Sequence, residues 1–199
     1  NRFRLYNPRF HQSVRASRPA SEILFRIISA ETQLIAQDKF TIMPKGLLIT
    51  FEGIDGSGKT TQIRRFIQKL EDESVPCILF REPGGTPIGE QIRDILLDKS
   101  NSGMCAITEL LLYSASRYQL SRELIWPALQ EGKVVICDRF YDSTTVYQGY
   151  GRGIDLGFIN DLNRIATDNL IPNLTFVFDI PLAERARRFG QKDLDRLEQ

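Results

Sequence analysis

Residues 53–60 combine glycines, a lysine and a threonine at a spacing that suits phosphate binding. Their sequence, GIDGSGKT, matches the pattern G-x-x-x-x-G-K-[ST] at every fixed position. Glycines allow backbone conformations in which successive N–H groups point at phosphate oxygens. Lys59 is placed to reach the β- and γ-phosphates of a nucleotide, and the Thr60 hydroxyl to bind Mg²⁺. The segment therefore predicts a phosphate-binding loop.

Charged residues also follow two predicted strands, at positions where ligands bind in an open parallel sheet. Asp138 and Arg139 come directly after the buried run 134–137, and the turn-rich segment 81–85 follows the run 76–80. Asp138 would lie near Mg²⁺. The planar guanidinium of Arg139 suits phosphate, although an ordinary surface arginine is the alternative interpretation.

Tyr113 and Arg117 are four residues apart and therefore share one face of a predicted helix. An aromatic ring and a guanidinium on one face are compatible with ordinary packing. They are equally suited to stacking on a nucleotide base and hydrogen-bonding it, and the local sequence leaves both interpretations open.

Short apolar runs alternate with helical patterns along most of the chain. Strands are predicted at residues 47–51, 76–80, 134–137 and 174–180. Apolar stripes predict helices at residues 63–70, 88–96, 107–130, with an interruption near Pro127, and 158–165. This alternation predicts an α/β fold, with a parallel β-sheet flanked by helices.

Composition limits the classes of function. The 199 residues are 42% hydrophobic and 26% charged, typical of one soluble domain, and the net charge of +1 gives no indication of a nucleic-acid partner. The three cysteines lack metal-binding spacing and suit a reducing cytoplasm. No apolar run approaches the ~18 residues of a membrane helix. The one histidine, His11, lies outside the predicted domain, which excludes histidine-based catalysis there.

The first 42 residues differ in charge from the rest of the chain. They hold seven Lys/Arg and three Asp/Glu, against 19 and 22 in residues 43–199. Met43 stands just before the first predicted strand. We therefore predict a domain at residues 43–199 and a leader at residues 1–42 that lies outside the fold, as translated upstream sequence or, alternatively, a transit peptide.

Five segments together resemble the bacterial thymidylate kinases over residues 44–199. They are EGIDGSGKTTQ, REPGGTPIGEQIRDILL, ELLLYSASRYQL, GKVVICDRFYDSTTVYQGYGRGID and DLDRLEQ. The resemblance implies ATP-dependent phosphorylation of dTMP to dTDP for dTTP synthesis, with Mg²⁺, in the cytoplasm. It also implies a five-stranded P-loop kinase fold that is usually a homodimer.

The resemblance assigns the ATP side and the catalytic groups. The residues that it places around ATP are Gly53, Ile54, Asp55, Gly56, Ser57, Gly58, Lys59, Thr60 and Thr61. Catalysis is assigned to Lys59 and Arg139 and to a mobile lid that would include Arg188 and Arg196. A lid arginine is expected because Gly56 stands inside the loop, as in the bacterial subgroup.

The dTMP base is assigned to residues of the third and fourth segments. Tyr113 would stack on thymine while Arg117 donates to its O4 atom. Thr144 and Gln148 would meet the other polar edge of the base. Tyr147 would lie against the sugar and disfavour a ribose 2′-hydroxyl.

The dTMP phosphate is assigned to residues of three different segments. Arg139 and Arg93 would hold the phosphate, and Asp55 would approach both sugar and phosphate. Glu82 would face the same cleft. Thr60 and Asp138 remain the predicted Mg²⁺ ligands.

Members of the family continue beyond the DLDRLEQ segment with the rest of the lid, a fifth strand and a final helix. We therefore expect the last strand to be absent and the adenine contacts to lie beyond Gln199. Three alternative functions stay open: another nucleoside monophosphate or small-molecule kinase, a non-catalytic nucleotide-binding fragment, and a GTP-binding switch. The lack of an N-K-x-D motif counts against the switch.

Overall fold

A computed structural model describes residues 2–7, 12–16 and 45–189 of the chain. The strands are β1 (Arg2–Asn7), β2 (Gln12–Ala16), β3 (Leu47–Gly53), β4 (Cys77–Arg81), β5 (Val134–Asp138) and β6 (Leu174–Asp179). The α-helices are α1 (Lys59–Asp72), α2 (Pro87–Leu97), α3 (Ala106–Leu120), α4 (Trp126–Gln130), α5 (Tyr141–Thr144), α6 (Leu156–Ala166) and α7 (Leu182–Phe189). A 3₁₀-helix at Lys99–Asn101 and π-helices at Ser121–Ile125 and Thr145–Tyr150 complete the helical elements of this part.

The described strands form one sheet in the order β2-β1-β6-β3-β5-β4. β3 lies at the centre and pairs in parallel with β5 and β6, and β4 pairs in parallel with β5. All four predicted strands are present, and the predicted α/β class with a parallel sheet is confirmed. Parallel pairing places the carboxyl ends of β3, β4 and β5 at one edge, which is where the candidate site forms.

Apolar side chains of the sheet pack on both of its faces. On one face Phe51 stacks on Phe176 with ring centroids 4.9 Å apart, and Phe66 of α1 covers them. On the other face Leu48 and Val135 pack against the helical region that follows residue 106. Successive residues of a strand point to opposite faces, so β3 is buried on both.

The long helical region widens before Pro127. We predicted an interruption near this proline, and the structure has a π-helix at Ser121–Ile125, one turn earlier. Pro127 is the second residue of α4, which continues this π-helix without a break, so the proline stands inside a continuous helical run. The widened turn lets the chain continue as a helix through the proline.

The first residues of the predicted leader form strands of the sheet, although we predicted that they lie outside the fold. β1 pairs antiparallel with β6, and β2 pairs antiparallel with β1. Without β1, the outer edge of β6 would expose a row of unpaired N–H and C=O groups. Leu5 is 9% exposed and belongs to the same apolar cluster as Phe51. The arginine-rich composition suggested a segment outside the fold, but RFRLYN also alternates polar and apolar residues, as a strand does. Apart from β1 and β2, residues 1–42 lie outside the described residues.

Candidate active site

The phosphate-binding loop runs from the end of β3 to the start of α1. Gly53, Gly56 and Gly58 have φ values of 138°, 78° and 97°, which side chains other than glycine rarely adopt. A Cβ at Gly53 would lie 2.5 Å from the Phe178 carbonyl oxygen, so this position also requires glycine for space. Gly58 precedes α1 and supplies no side-chain cap, so the first N–H groups of the helix remain available to an anion.

Lys59 lies inside this loop. Its side chain is 5% exposed, and its Nζ donates to the Gly53 carbonyl oxygen at 2.7 Å and lies 3.6 Å from Asp55 Oδ1. Burial lowers the pKa of Lys59, and the nearby charge of Arg139 lowers it further, against the opposing effect of carboxylates led by Asp55. A bound phosphate would add negative charge beside this buried ammonium, which Asp55 now faces at 3.6 Å.

Arg139 forms a strained turn directly after β5. Its φ is 72°, which is uncommon for a residue other than glycine, and its N–H donates to the Phe51 carbonyl oxygen at 3.0 Å. Its Nη2 donates to Asp55 Oδ1 at 2.8 Å, and its guanidinium carbon lies 5.6 Å from the centre of the Tyr147 ring. The turn therefore points a guanidinium at the phosphate-binding loop.

Glu52 is a buried carboxylate beside this turn that we did not predict. Its Oε1 accepts from the Phe140 N–H at 2.8 Å, and its Oε2 accepts from Ser143 Oγ at 2.7 Å. Burial and the neighbouring charge of Asp142 raise the pKa of Glu52 to about 7, although Ser143 and Arg139 oppose the shift. Its one signal in the sequence is that it is the single charged residue of a buried strand, where a charge needs partners.

Arg117 is the most deeply buried arginine among the residues at the cleft, with 2% of its surface exposed. Its Nε donates to Glu82 Oε2 at 2.6 Å, and its Nη2 donates to the Phe140 carbonyl oxygen at 3.2 Å and to Thr144 Oγ1 at 3.0 Å. Its Nη1 has the longest contact, 3.5 Å to Asn163 Oδ1. Burial raises the pKa of Glu82, and Arg117 opposes that shift. Most donors of Arg117 thus bind the protein, which the predicted role at a base did not anticipate.

Gln148 is fixed by another unpredicted carboxylate, Glu109 of α3. Glu109 is 1% exposed, and its Oε1 accepts from Gln148 Nε2 at 2.8 Å while its Oε2 accepts from Arg152 Nη2 at 3.2 Å. Because the amide nitrogen of Gln148 is used in this way, its carbonyl oxygen is left for a ligand. A single glutamate in a helix is too common for the sequence to reveal this contact.

The predicted dTMP residues line one cleft at the carboxyl ends of the strands. They are Asp55, Glu82, Arg93, Tyr113, Arg117, Arg139, Thr144, Tyr147 and Gln148. Lys59, Thr60 and Asp138 line the same cleft. Arg93 donates from Nη1 to the Pro83 carbonyl oxygen at 3.0 Å. The structure thus brings these residues together, and their individual roles remain predictions.

The predicted Mg²⁺ ligands supply two hard oxygen donors, the Thr60 hydroxyl and the Asp138 carboxylate. Burial raises the pKa of Asp138, and the charges of Lys59 and Arg139 oppose the shift. Within residues 2–7, 12–16 and 45–189, no cluster of three or more His, Cys, Asp or Glu side chains could hold a metal. The donor set fits Mg²⁺, which takes few protein ligands and completes its shell with water and phosphate oxygens.

One of the two predicted lid arginines reaches the phosphate-binding loop. Arg188 of α7 donates from Nη1 to the Gly56 carbonyl oxygen at 3.1 Å, and from Nε to Glu184 Oε1 at 2.7 Å. Arg196 lies outside the described residues. The other predicted ATP residues belong to the loop itself, where Ser57 is buried and Thr61 is exposed.

We predict that replacing Arg117 by Ala lowers the free energy of unfolding by about 3–5 kcal/mol, because Glu82 would lose its buried charge partner. Arg122 forms an ion pair with Asp168 at 2.6 Å in which both side chains are exposed, and it provides the matched control. Arg122→Ala should cost less than about 1 kcal/mol. Urea denaturation measures both values, and an equal, small loss in the two variants would contradict this role of Arg117.

We also predict a pH-dependent effect of Glu52 on stability. The pKa of Glu52 rises from 4.5 to about 7 on folding, so the folded state holds a proton that the unfolded state releases between these pH values. The contribution of Glu52 to stability therefore falls as pH rises through this range. The free energy of unfolding of Glu52→Gln, taken relative to that of the unaltered chain, should rise by about 2–3 kcal/mol from pH 5 to pH 8. A difference in unfolding free energy that is independent of pH would contradict the raised pKa.

Known proteins match the part of this chain that forms the cleft. The thymidylate kinase family profile matches residues 51–199. The thymidylate kinase of Symbiobacterium thermophilum is 53% identical over 153 residues, which cover 76% of this chain and 71% of that protein. The thymidylate kinase of Geobacter sulfurreducens is 51% identical over 157 residues, covering 77% and 74%.

A solved structure matches as well. The crystal structure of thymidylate kinase from Ehrlichia chaffeensis superposes with a TM-score of 0.63 at 42% identity, over 72% of this chain and 77% of that one. Sequence and fold therefore agree, and the chain belongs to the thymidylate kinase family.

Proposed function

We propose that the protein transfers the γ-phosphate of ATP to dTMP and forms dTDP. The observation that carries this proposal is that one cleft holds the phosphate-loop residues Lys59 and Thr60 together with every residue predicted to bind dTMP. Membership of the thymidylate kinase family supports the same substrates. Phosphoryl transfer depends mainly on positioning and charge neutralisation, and this cleft offers both.

On the donor side, the ATP phosphates would lie in the loop between β3 and α1. The N–H groups at the start of α1 would bind phosphate oxygens, and Lys59 would leave its present contact with the Gly53 carbonyl oxygen for a phosphate. Arg188 already reaches the loop carbonyls of Gly56 and Ser57, from which it could move to the transferring group. Both cations would offset the negative charge that moves during transfer.

On the acceptor side, Arg139 and Arg93 would bind the phosphate of dTMP. Arg139 is presently paired with Asp55 at 2.8 Å, so a phosphate would compete with that carboxylate or bind the guanidinium beside it. Asp55 would then be free to approach the sugar. No general base is needed because the acceptor phosphate is itself an anion.

The base of dTMP would lie deeper in the cleft, between Tyr113 and Thr144. Arg117 has one guanidinium nitrogen, Nη1, whose contact within the described residues is long at 3.5 Å, and this nitrogen is the group that would donate to O4 of thymine. Gln148 would offer its carbonyl oxygen, and Tyr147 would lie against the sugar. Glu82 would act through Arg117, which it holds at 2.6 Å.

Mg²⁺ would be held by the Thr60 hydroxyl and Asp138. When bound, the ion neutralises charge on the ATP phosphates. Asp138 stands at the end of β5 in the same cleft as Lys59, so its carboxylate faces a site of net positive charge. The charges of Lys59 and Arg139 oppose the rise in the pKa of Asp138 that burial causes, and a bound Mg²⁺ would oppose it further.

A turnover assay with a panel of nucleoside monophosphates tests the proposal. We expect dTMP to be phosphorylated about ten- to a hundredfold better than dCMP, because cytosine presents an amino group where thymine presents O4 and leaves Arg117 unpaired. Lys59→Ala should lower turnover by at least about a hundredfold. Lys69→Ala, on an exposed site of the same helix, should leave it unchanged. Equal turnover of dTMP and dCMP would contradict the assigned acceptor.

We further propose that the protein forms a homodimer through α2 and α3. These helices pack against each other, and both expose large apolar side chains: Ile88 (51%) and Ile95 (47%) on α2, and Ile107 (46%), Leu111 (49%) and Tyr118 (45%) on α3. Each set repeats at helical spacing, which makes two neighbouring apolar stripes. Monomeric proteins rarely expose extended apolar patches, whereas homodimer interfaces are apolar.

Sedimentation equilibrium tests the dimer. We expect a dimer at micromolar concentration and a shift toward monomer in Leu111→Asp, because burying an unpaired charge at an interface is costly. A monomer at tens of micromolar in the unaltered chain would contradict the proposal.

We place the enzyme in the cytoplasm and its catalytic residues in the domain that begins at residue 43, to whose sheet β1 adds a strand. Cys77, Cys105 and Cys137 are free thiols, which suits a reducing compartment. None of the helices in the described part of the chain is long and apolar enough to cross a membrane.

A further inference from the structure

We propose that Glu52 and Ser143 are positioning residues that hold Arg139 in the geometry in which it binds the substrate phosphate. This inference rests on the proposed function, which makes Arg139 a phosphate ligand. Glu52 is 5% exposed and is not among the residues that line the cleft, whereas Ser143 and Arg139 are. Glu52 therefore would not contact a bound phosphate itself, and its hydrogen bonds connect it to the cleft through other residues.

The backbone on both sides of Arg139 is tied to β3. Its own N–H donates to the Phe51 carbonyl oxygen at 3.0 Å, and the following N–H, that of Phe140, donates to Glu52 Oε1 at 2.8 Å. A residue other than glycine at a φ of 72° persists only where its surroundings fix it. Two adjacent hydrogen bonds to consecutive residues of one buried strand provide that constraint.

The side chain of Arg139 is tied to the same carboxylate through one hydroxyl. Arg139 Nη1 donates to Ser143 Oγ at 3.1 Å, and Ser143 Oγ donates to Glu52 Oε2 at 2.7 Å. The Ser143 N–H also approaches Glu52 Oε1, at 3.4 Å. One carboxylate thus fixes both the turn that carries Arg139 and the direction of its guanidinium.

A carboxylate suits this place because both of its oxygens accept and neither must donate. It receives three donors, two backbone N–H groups and one hydroxyl, in a site closed to water. The opposite side of the guanidinium is held by Asp55 at 2.8 Å. The arginine is therefore ordered before the substrate arrives, which reduces the entropy lost on binding.

Loosening Arg139 should affect only the binding of the phosphate. Thymidine and dTMP share the base and the sugar, so such a change should weaken the binding of dTMP and leave that of thymidine unchanged. Ser143→Ala breaks the connection without changing any charge. Glu52→Leu removes both acceptor oxygens, and Glu52→Gln keeps one of them while removing the charge.

The experiment measures the dissociation constants of dTMP and thymidine by calorimetry at pH 8. We expect Ser143→Ala and Glu52→Leu each to weaken dTMP about three- to tenfold and thymidine less than twofold. The double variant should bind dTMP about as tightly as the weaker-binding single variant, because the two substitutions break the same connection. Glu52→Gln should retain most of the affinity for dTMP.

Thr50→Val is the matched control, because Thr50 lies on β3 and its hydroxyl bonds that of Thr175 at 2.8 Å, inside the sheet. It should leave the ratio of the two dissociation constants unchanged. An unaltered ratio in Ser143→Ala, or equal losses for dTMP and thymidine, would overturn the proposal. If Ser143→Ala weakens the binding of dTMP and Glu52→Leu does not, Ser143 contacts the phosphate directly. That result would overturn the role of Glu52. Failure of the unaltered chain to bind dTMP would instead contradict the proposed function.

Discussion

The guanidinium of Arg117 is the group on which the acceptor side of the cleft depends. It comes from α3 and binds Glu82 just beyond β4, the Phe140 carbonyl beyond β5 and Thr144 of α5. A cation with 2% exposure is tolerated only where its donors are satisfied. These contacts fix the distance between two strand ends and the helix above them. The cleft that the base would enter is therefore shaped by the same residue that would recognise it.

Charge is arranged around this cleft so that each buried group depends on a neighbour. Burial raises the pKa of Glu52 and Glu82 and lowers that of Lys59, while the arginines on either side oppose the carboxylate shifts. Arg139, in the turn after β5, donates to Asp55 of the phosphate loop and to Ser143 of α5. A phosphate entering such a site would meet donors that are already oriented, and such preorganisation is what electrostatic stabilisation of phosphoryl transfer requires.

Local patterns were sufficient for the parallel strands, the phosphate loop and the charges of Asp138 and Arg139, because apolar runs, fixed glycine spacing and charges just after strands are visible in the sequence. For other residues of the cleft, such as Arg93, Thr144 and Gln148, the sequence was informative only through its resemblance to the thymidylate kinases. It was not sufficient for Glu52 and Glu109, because their partners lie 88 and 39 residues away and no local pattern encodes such contacts. The strand β1 was missed because its arginines dominated the composition of its segment, although its pairing needs only backbone groups and an open edge on β6.

A crystal structure of the chain with dTMP bound would test the account most directly. We expect the phosphate of dTMP within hydrogen-bond distance of the Arg139 guanidinium, with the thymine ring between Tyr113 and Thr144. We also expect the hydrogen bonds from Arg139 to Ser143 and from Ser143 to Glu52 to be retained. A dTMP phosphate in the loop between β3 and α1, or a base outside the Tyr113 and Arg117 side of the cleft, would contradict it.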